Sequence, residues 1–217
     1  MTKMLQNMKQ KFPNILVVLF LAFFSYSCTA KNNLALNKKY IMSPKPNYYL
    51  CSDKEDATQL TDGVAKISDW FRKTTVGWSN IKEPAVVEID LEKPSFVEDI
   101  IFHTIGGGVA NVEYPLHIAA FGSLDGTNYY SMGLLDNRSL SSSKTNQRKK
   151  KPLEVAINGI DTNARYVRLL FMLNGVGSHF FLDEIEVLGE QKKKKSSVSL
   201  HNRKLSTSVN VVELLKR

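Results

Sequence analysis

Apolar residues in the middle of the chain alternate with polar ones in short runs and do not recur every three or four positions, which is the pattern of half-buried strands. In Ala85–Leu91, AVVEIDL, the pattern turns Val87, Ile89 and Leu91 toward a core and Glu88 and Asp90 toward water. Further strands are predicted over Val97–His103, Leu116–Phe121, Tyr129–Leu134, Leu153–Ile157, Arg165–Met172 and Phe180–Leu188. Turn residues separate them: Glu92-Lys93-Pro94, Gly106-Gly107-Gly108, Asp125-Gly126, Asn158-Gly159 and Asn174-Gly175. The Asp125-Gly126 pair predicts a hairpin with positive φ at both turn positions, joining LHIAAFGS to NYYSMGLL. With hardly a helical segment among them, such strands predict an all-β sandwich or jelly roll. The segment from Asn33 to Ile81 is less regular and reads as loops with one or two short strands; it contains both tryptophans.

The ends of the chain have a different character. Lys3, Lys9 and Lys11 precede an apolar run, Ile15–Phe24, too short to cross a bilayer, so residues 1–27 read as a secretory signal. The sequence Ser25-Tyr26-Ser27-Cys28 that follows resembles a bacterial lipobox, which implies cleavage before Cys28, lipid on its thiol and a tether over residues 28–32. Only Cys51 then remains, so no intramolecular disulfide is available, and a lone cysteine in an exported chain is expected as buried apolar filler. Residues 190–217 read as a basic linker or tail, with truncation of a longer protein as one reading.

Charge changes the picture only through its location. Residues 1–27 carry three Lys and no acid, and residues 191–217 carry a net +7, so a total of +8 leaves −2 for residues 28–190. The dense cluster Lys144 with Arg148–Lys151 lies in a Ser-rich stretch that reads as a solvated loop. A basic stripe interleaved with aromatics is missing, so nucleic acid is not expected as a partner. Four histidines and scattered carboxylates form no catalytic constellation, and Asp53, Glu55 and Asp56 in CSDKED are too close in sequence for the opposed carboxylates of a glycosidase. The Gly106–Gly108 run lacks the Lys-Ser/Thr pair of a phosphate-binding loop. The chain is read as no enzyme.

Four pieces, in order across residues 33–189, resemble the galactose-binding-like β-sandwich of discoidin (coagulation factor type C) domains and of carbohydrate-binding module family 32. They are NLALNK (Asn33–Lys38), looking like the opening strand; QLTDG (Gln59–Gly63) with VGW (Val76–Trp78); GSLDGTNYY (Gly122–Tyr130); and ARYVRL (Ala164–Leu169) with DEIEV (Asp183–Val187). The resemblance implies a structural calcium held by Asp62, Glu184 and backbone carbonyls, in keeping with calcium's preference for six to eight oxygens. It places Trp78 in the core.

The resemblance also implies ligand recognition by loops at one end of the sandwich, with an aromatic face for a sugar ring and polar side chains for its hydroxyls. The candidates are Trp70, Phe71, Arg72, His103, Asn111, Asn174, His179 and Phe180. Together these readings describe a non-catalytic carbohydrate-binding module of a bacterial envelope lipoprotein, anchored in the outer membrane. Its partners would be a glycan or polysaccharide and a glycan-degrading enzyme. The alternatives are an adhesive β-sandwich that binds a protein through the same loops, and the N-terminal fragment of a larger glycoside hydrolase.

Overall fold

The computed structural model describes residues 31–66, 69–107, 110–136, 151–173 and 179–192. The signal reading, Cys28, Asn174, the basic cluster before Lys151 and the tail from residue 193 lie outside these.

Nine strands form one hydrogen-bonded network among the described residues. In chain order they are β1 (Asn32–Asn33), β2 (Tyr40–Ser43), β3 (Val76–Ser79), β4 (Ala85–Gly106), β5 (His117–Ser123), β6 (Tyr130–Asp136), β7 (Lys151–Ile157), β8 (Thr162–Met172) and β9 (His179–Glu190). Two short 3-10 turns, Lys54–Ala57 and Gln59–Thr61, interrupt the irregular stretch between β2 and β3. All strand pairings are antiparallel.

Strand β4 makes the sandwich. Its first half pairs with β2 and β8, giving a layer ordered β2-β4-β8-β5-β6. Its second half pairs with β9 and β7, with β1 and β3 along the far edge of β9. The turn expected at Glu92-Lys93-Pro94 is instead a bend inside one continuous strand, where Glu92 takes φ +67° and the register to β8 shifts between Asp90 and Ser95. A break in the alternating pattern marks a kink as readily as a strand end, because both displace the pleat. The opening stretch NLALNK is likewise shorter as a strand than expected: pairing stops at Asn33 and the chain turns.

Between the layers lies the core. Val87, Ile89, Val167, Leu169 and Phe171 from one layer meet Ile100, Phe102, Phe180, Leu182 and Val187 from the other. Trp78, fully buried, stacks on Phe180 at 5.5 Å and 21°, and its indole N–H donates to the Pro44 carbonyl at 2.8 Å. Phe180 continues to Phe171 at 5.2 Å, and Phe171 to Phe102 at 5.2 Å. Each such buried ring contributes about 1.5–3 kcal/mol, and truncating Phe180 to Ala costs about 3–5 kcal/mol.

Outward-facing positions are less solvated than alternation predicts. Glu88 and Asp90 do leave the core, but Arg168 holds Glu88 at 2.6 Å and Arg165 forks onto Asp90 with two bonds of 2.9 Å. Leu170, on the same outer face, is buried with Ala119 and Phe121 in a separate small cluster.

Candidate functional site

One end of the sandwich is where β8 finishes and β9 begins. There the stretch 110–113 docks on β9: the His179 N–H donates to the Asn111 carbonyl at 3.0 Å, and the Glu113 N–H to the His179 carbonyl at 2.8 Å. The segment after β2 reaches the same place because Asn47 imitates a strand. Its amide donates to the Ser79 carbonyl at 3.0 Å and accepts from the Ser79 N–H at 2.7 Å. The Asn47 and Tyr48 N–H groups both donate to the Gly77 carbonyl at 3.0 Å. A side chain at Gly77 would strike Cys51 Sγ at 2.7 Å and the Phe181 ring at 2.6 Å, so the close approach requires glycine.

This docking buries a second cluster of Cys51, Ile105, Val112 and Phe181, with Tyr48 and Trp70 packed against it. Burial pushes the Cys51 thiol up to about 11, so it is inert filler, as expected. Tyr48 is the hub. Its ring meets Phe181 edge-on at 4.9 Å, His179 at 5.4 Å and the exposed Tyr49 at 5.6 Å. Trp70 lies within side-chain hydrogen-bonding reach of Tyr48, and its indole can only donate.

The turn 70–75 carries the remaining rim residues. The Thr75 hydroxyl donates to the Arg72 carbonyl at 2.8 Å, and Lys73 donates to the Ser52 carbonyl at 3.0 Å, tying the turn to the Tyr48 segment. Phe71 meets Trp70 edge-on at 6.5 Å, and the Arg72 guanidinium lies 5.1 Å over the Phe71 ring.

Of the residues singled out from the sequence, the structure therefore brings Trp70, Phe71, Arg72, Asn111 and His179 to one end. Phe180 is corrected: its side chain points between the layers and is fully buried under Trp78, because residue 179 already sits on the strand and the next residue faces inward. His103 is corrected as well. Strand β4 continues three residues past it, leaving it on the outer sheet face with Nε2 3.4 Å from Glu186. Tyr48 and Tyr49 were missed. Their only sequence signal is a pair of adjacent tyrosines in a segment without periodicity.

His179 is half-buried, and burial holds its imidazole below the usual histidine range, hence neutral near pH 7. Its Nδ1 is enclosed and has no hydrogen-bond partner among the described residues. A neutral imidazole carries one donor and one acceptor nitrogen, the assignment depending on its tautomer.

A second unsatisfied group lies along β9. Between Leu182 and Ile185 two β9 residues oppose the single β4 residue His103, so a bulge turns both Asp183 and Glu184 inward, each 1% exposed. The loop after the second 3-10 turn closes over them. Gly63, at φ +80°, donates its N–H to Glu184 Oε1 at 3.1 Å, and the Lys66 N–H donates to Asp183. Among the described residues Glu184 Oε2 has no partner, and burial, with Asp62 and Asp183 nearby, pushes its carboxyl up to about 7.

Among the described residues no group of three or more His, Cys, Asp or Glu is arranged to hold a metal by side chains alone. The Glu184 carboxylate, with its unpartnered oxygen, nevertheless lies against the Asp62-Gly63 loop. Together with loop carbonyls it fits the hard-oxygen chemistry of calcium.

No family model and no curated protein matches the chain. Solved structures do. The fucose-type lectin from striped bass (Morone saxatilis) serum is 18% identical with a TM-score of 0.52, covering 73% of this chain and 49% of that one. A histidine mutant of the lectin-binding domain of lectinolysin, complexed with Lewis b, is 18% identical with a TM-score of 0.50, covering 73% and 96%. A chitosan-binding module of a chitosanase/glucanase from Paenibacillus sp. IK-5 is 18% identical with a TM-score of 0.49, covering 73% and 99%.

The likeness to the two lectins, with the layers and pairings above, makes the chain a galactose-binding-like β-sandwich. That is the fold which the resemblance of the four sequence pieces implies.

Proposed function

We propose that this sandwich is a non-catalytic carbohydrate-binding module whose rim is formed by Tyr48, Tyr49, Trp70, Phe71, Arg72, Asn111 and His179. The observation that carries the reading is the convergence of the Tyr48, Tyr49, Trp70 and Phe71 rings beside His179 at one end of the sandwich. Sugars offer apolar C–H faces and directional hydroxyls; exposed rings answer the first, and Arg72, Asn111 and His179 the second. The Lewis b glycan bound by the similar lectinolysin domain supports the same class of ligand. Asn174 belongs to the same proposal through its position in the sequence five residues before His179.

Calcium, in this reading, is held by Asp62, Glu184 and loop carbonyls. It would supply charge neutralisation for the buried carboxylates and pin the 62–66 loop to β9, without touching the glycan. Lipid on Cys28 tethers the module to the bacterial outer membrane, where it keeps a polysaccharide, or an enzyme acting on one, close to the envelope. Single-site binding of this kind is weak, and a neighbouring module would strengthen it through effective concentration.

A glycan array probed with the full chain tests the proposal. Wild type is expected to retain at least one glycan that the His179→Ala variant loses; an array with no glycan bound, or one unchanged by the substitution, contradicts it. Metabolic labelling with a palmitate analogue tests the anchor, with label expected on wild type and absent from Cys28→Ser.

A further inference from the structure

One concavity on the described surface lies away from the aromatic rim. It lies toward the opposite end of β8, beside the hairpin between β5 and β6, where an open groove of about 480 Å³ is lined by Gly126, Thr127, Asn128, Tyr129 and Arg168. That volume falls within the range that holds a small ligand.

Both walls are built before any ligand arrives. On one side the Asp125 carboxylate accepts from the Thr127 and Asn128 N–H groups at 2.8 Å, from the Asn128 side-chain amide at 2.8 Å and from the Ser123 hydroxyl at 3.0 Å. Gly126, at φ +78°, packs so closely on the Tyr166 ring that a Cβ there would stand 3.2 Å away. On the other side the Arg168 guanidinium lies 3.8 Å from the centre of the Tyr129 ring. Glu88 Oε2 takes the Tyr129 hydroxyl at 2.8 Å and Arg168 Nε at 2.6 Å.

Further polar groups belong to the same walls: the Thr127 hydroxyl, the Asn128 side-chain carbonyl, the Glu88 carboxylate and the Arg168 guanidinium. Together they offer both donors and acceptors beside an aromatic ring. The charges do not invite an anion: Glu88 balances Arg168, and its own loop holds Asp125 ionised well below the ordinary carboxylate range.

We propose that the hairpin groove is a second ligand site, distinct from the rim, that takes one unit of a neutral, hydroxyl-rich ligand such as an uncharged sugar residue. Vicinal hydroxyls pair with the mixed donors and acceptors, and the sugar's C–H face lies against the exposed part of Tyr129. Because the rim and the groove lie toward opposite ends of β8, a long glycan or two separate chains can engage both, which multiplies weak single contacts.

The test is an amide-resolved NMR titration of the full, isotope-labelled chain with methyl galactoside, methyl glucoside and N-acetylglucosamine at tens of millimolar, and with glucuronate alongside. The Gly126, Thr127 and Asn128 resonances are expected to move saturably with at least one neutral probe and less with glucuronate. Thr127→Trp, which fills the groove from an exposed position, is expected to abolish that movement. Arg168→Lys keeps a partner for Glu88 but loses the planar fork, and is expected to raise the midpoint at least tenfold, which decides the matter should the tryptophan variant not fold. Unmoved groove resonances with every neutral probe, movement that survives both substitutions, or glucuronate acting as strongly as the neutral sugars would overturn the proposal. Resonances of Trp70 and His179 report the rim in the same spectra, so failure of one site is read separately from failure of the other.

Discussion

Two loops in this molecule set a carboxylate beside a glycine of positive φ, and they treat it in opposite ways. In the β5–β6 hairpin, Asp125 stands in water with its oxygens occupied by its own loop, and its carboxyl is held far below the usual range. On the β9 bulge, Glu184 is shut away from water with one bond from Gly63 and one oxygen unpartnered, and its carboxyl rises to about 7. The first carboxylate is scaffold, complete within the chain. The second costs stability as an anion unless something from outside meets it, since desolvation penalises an uncompensated charge.

The largest expected effect follows from that contrast. In the absence of divalent cations, the folded chain holds a proton on Glu184 between its ordinary value of 4.5 and about 7, where the unfolded chain has lost it. Asp56, in the first 3-10 turn, does the same between 3.8 and about 6. The folded state binds more protons across this window, so stability falls as pH rises through it, by about 2–3 kcal/mol for Glu184. Chemical denaturation in chelator at pH 5 and pH 7.5 reads the loss. A stability that instead rises over this range would break the comparison.

Next in size, calcium in excess is expected to recover about 1–3 kcal/mol at pH 7.5, the yield of a site of extracellular-type affinity at tenfold to hundredfold excess. Glu184→Gln keeps the acceptor for Gly63 and removes the charge, so it is expected to cut the fall with pH to the share of Asp56 and abolish the calcium response together. Loss of only one of the two would separate the proton effect from the metal effect. The smallest effect belongs to the hairpin: Asp125→Ala is expected to lower the melting temperature by about 2–4 °C, with no dependence on calcium and none on pH between 5 and 8. A calcium-sensitive Asp125 variant would show that the two carboxylates are not the different things described above.

The strands were largely legible because their information is local. Val87, Ile89, Val167, Leu169 and Phe171 alternate along one chain segment and all face the core. The Asp125-Gly126 hairpin was legible too, though Gly126 alone takes positive φ and Asp125 serves as a hydrogen-bond anchor. What escaped depends on partners distant in sequence. Nothing beside Glu88 announces Arg168, eighty residues on. Phe180 and His179 differ only in which way the first residues of β9 point, and that is fixed by pairing with β3. The rim hub Tyr48 reads as an unpatterned loop residue until Asn47 is seen clamped onto Ser79.

The rim remains the heart of this account, and isothermal calorimetry of the glycan retained most strongly on the array tests it most directly. The Trp70→Ala chain should bind that glycan at least tenfold more weakly than wild type, about 1.4 kcal/mol, with its melting profile preserved. Equal affinity for the two chains, with both folded, would contradict the assignment of the aromatic loop end as the glycan-binding surface.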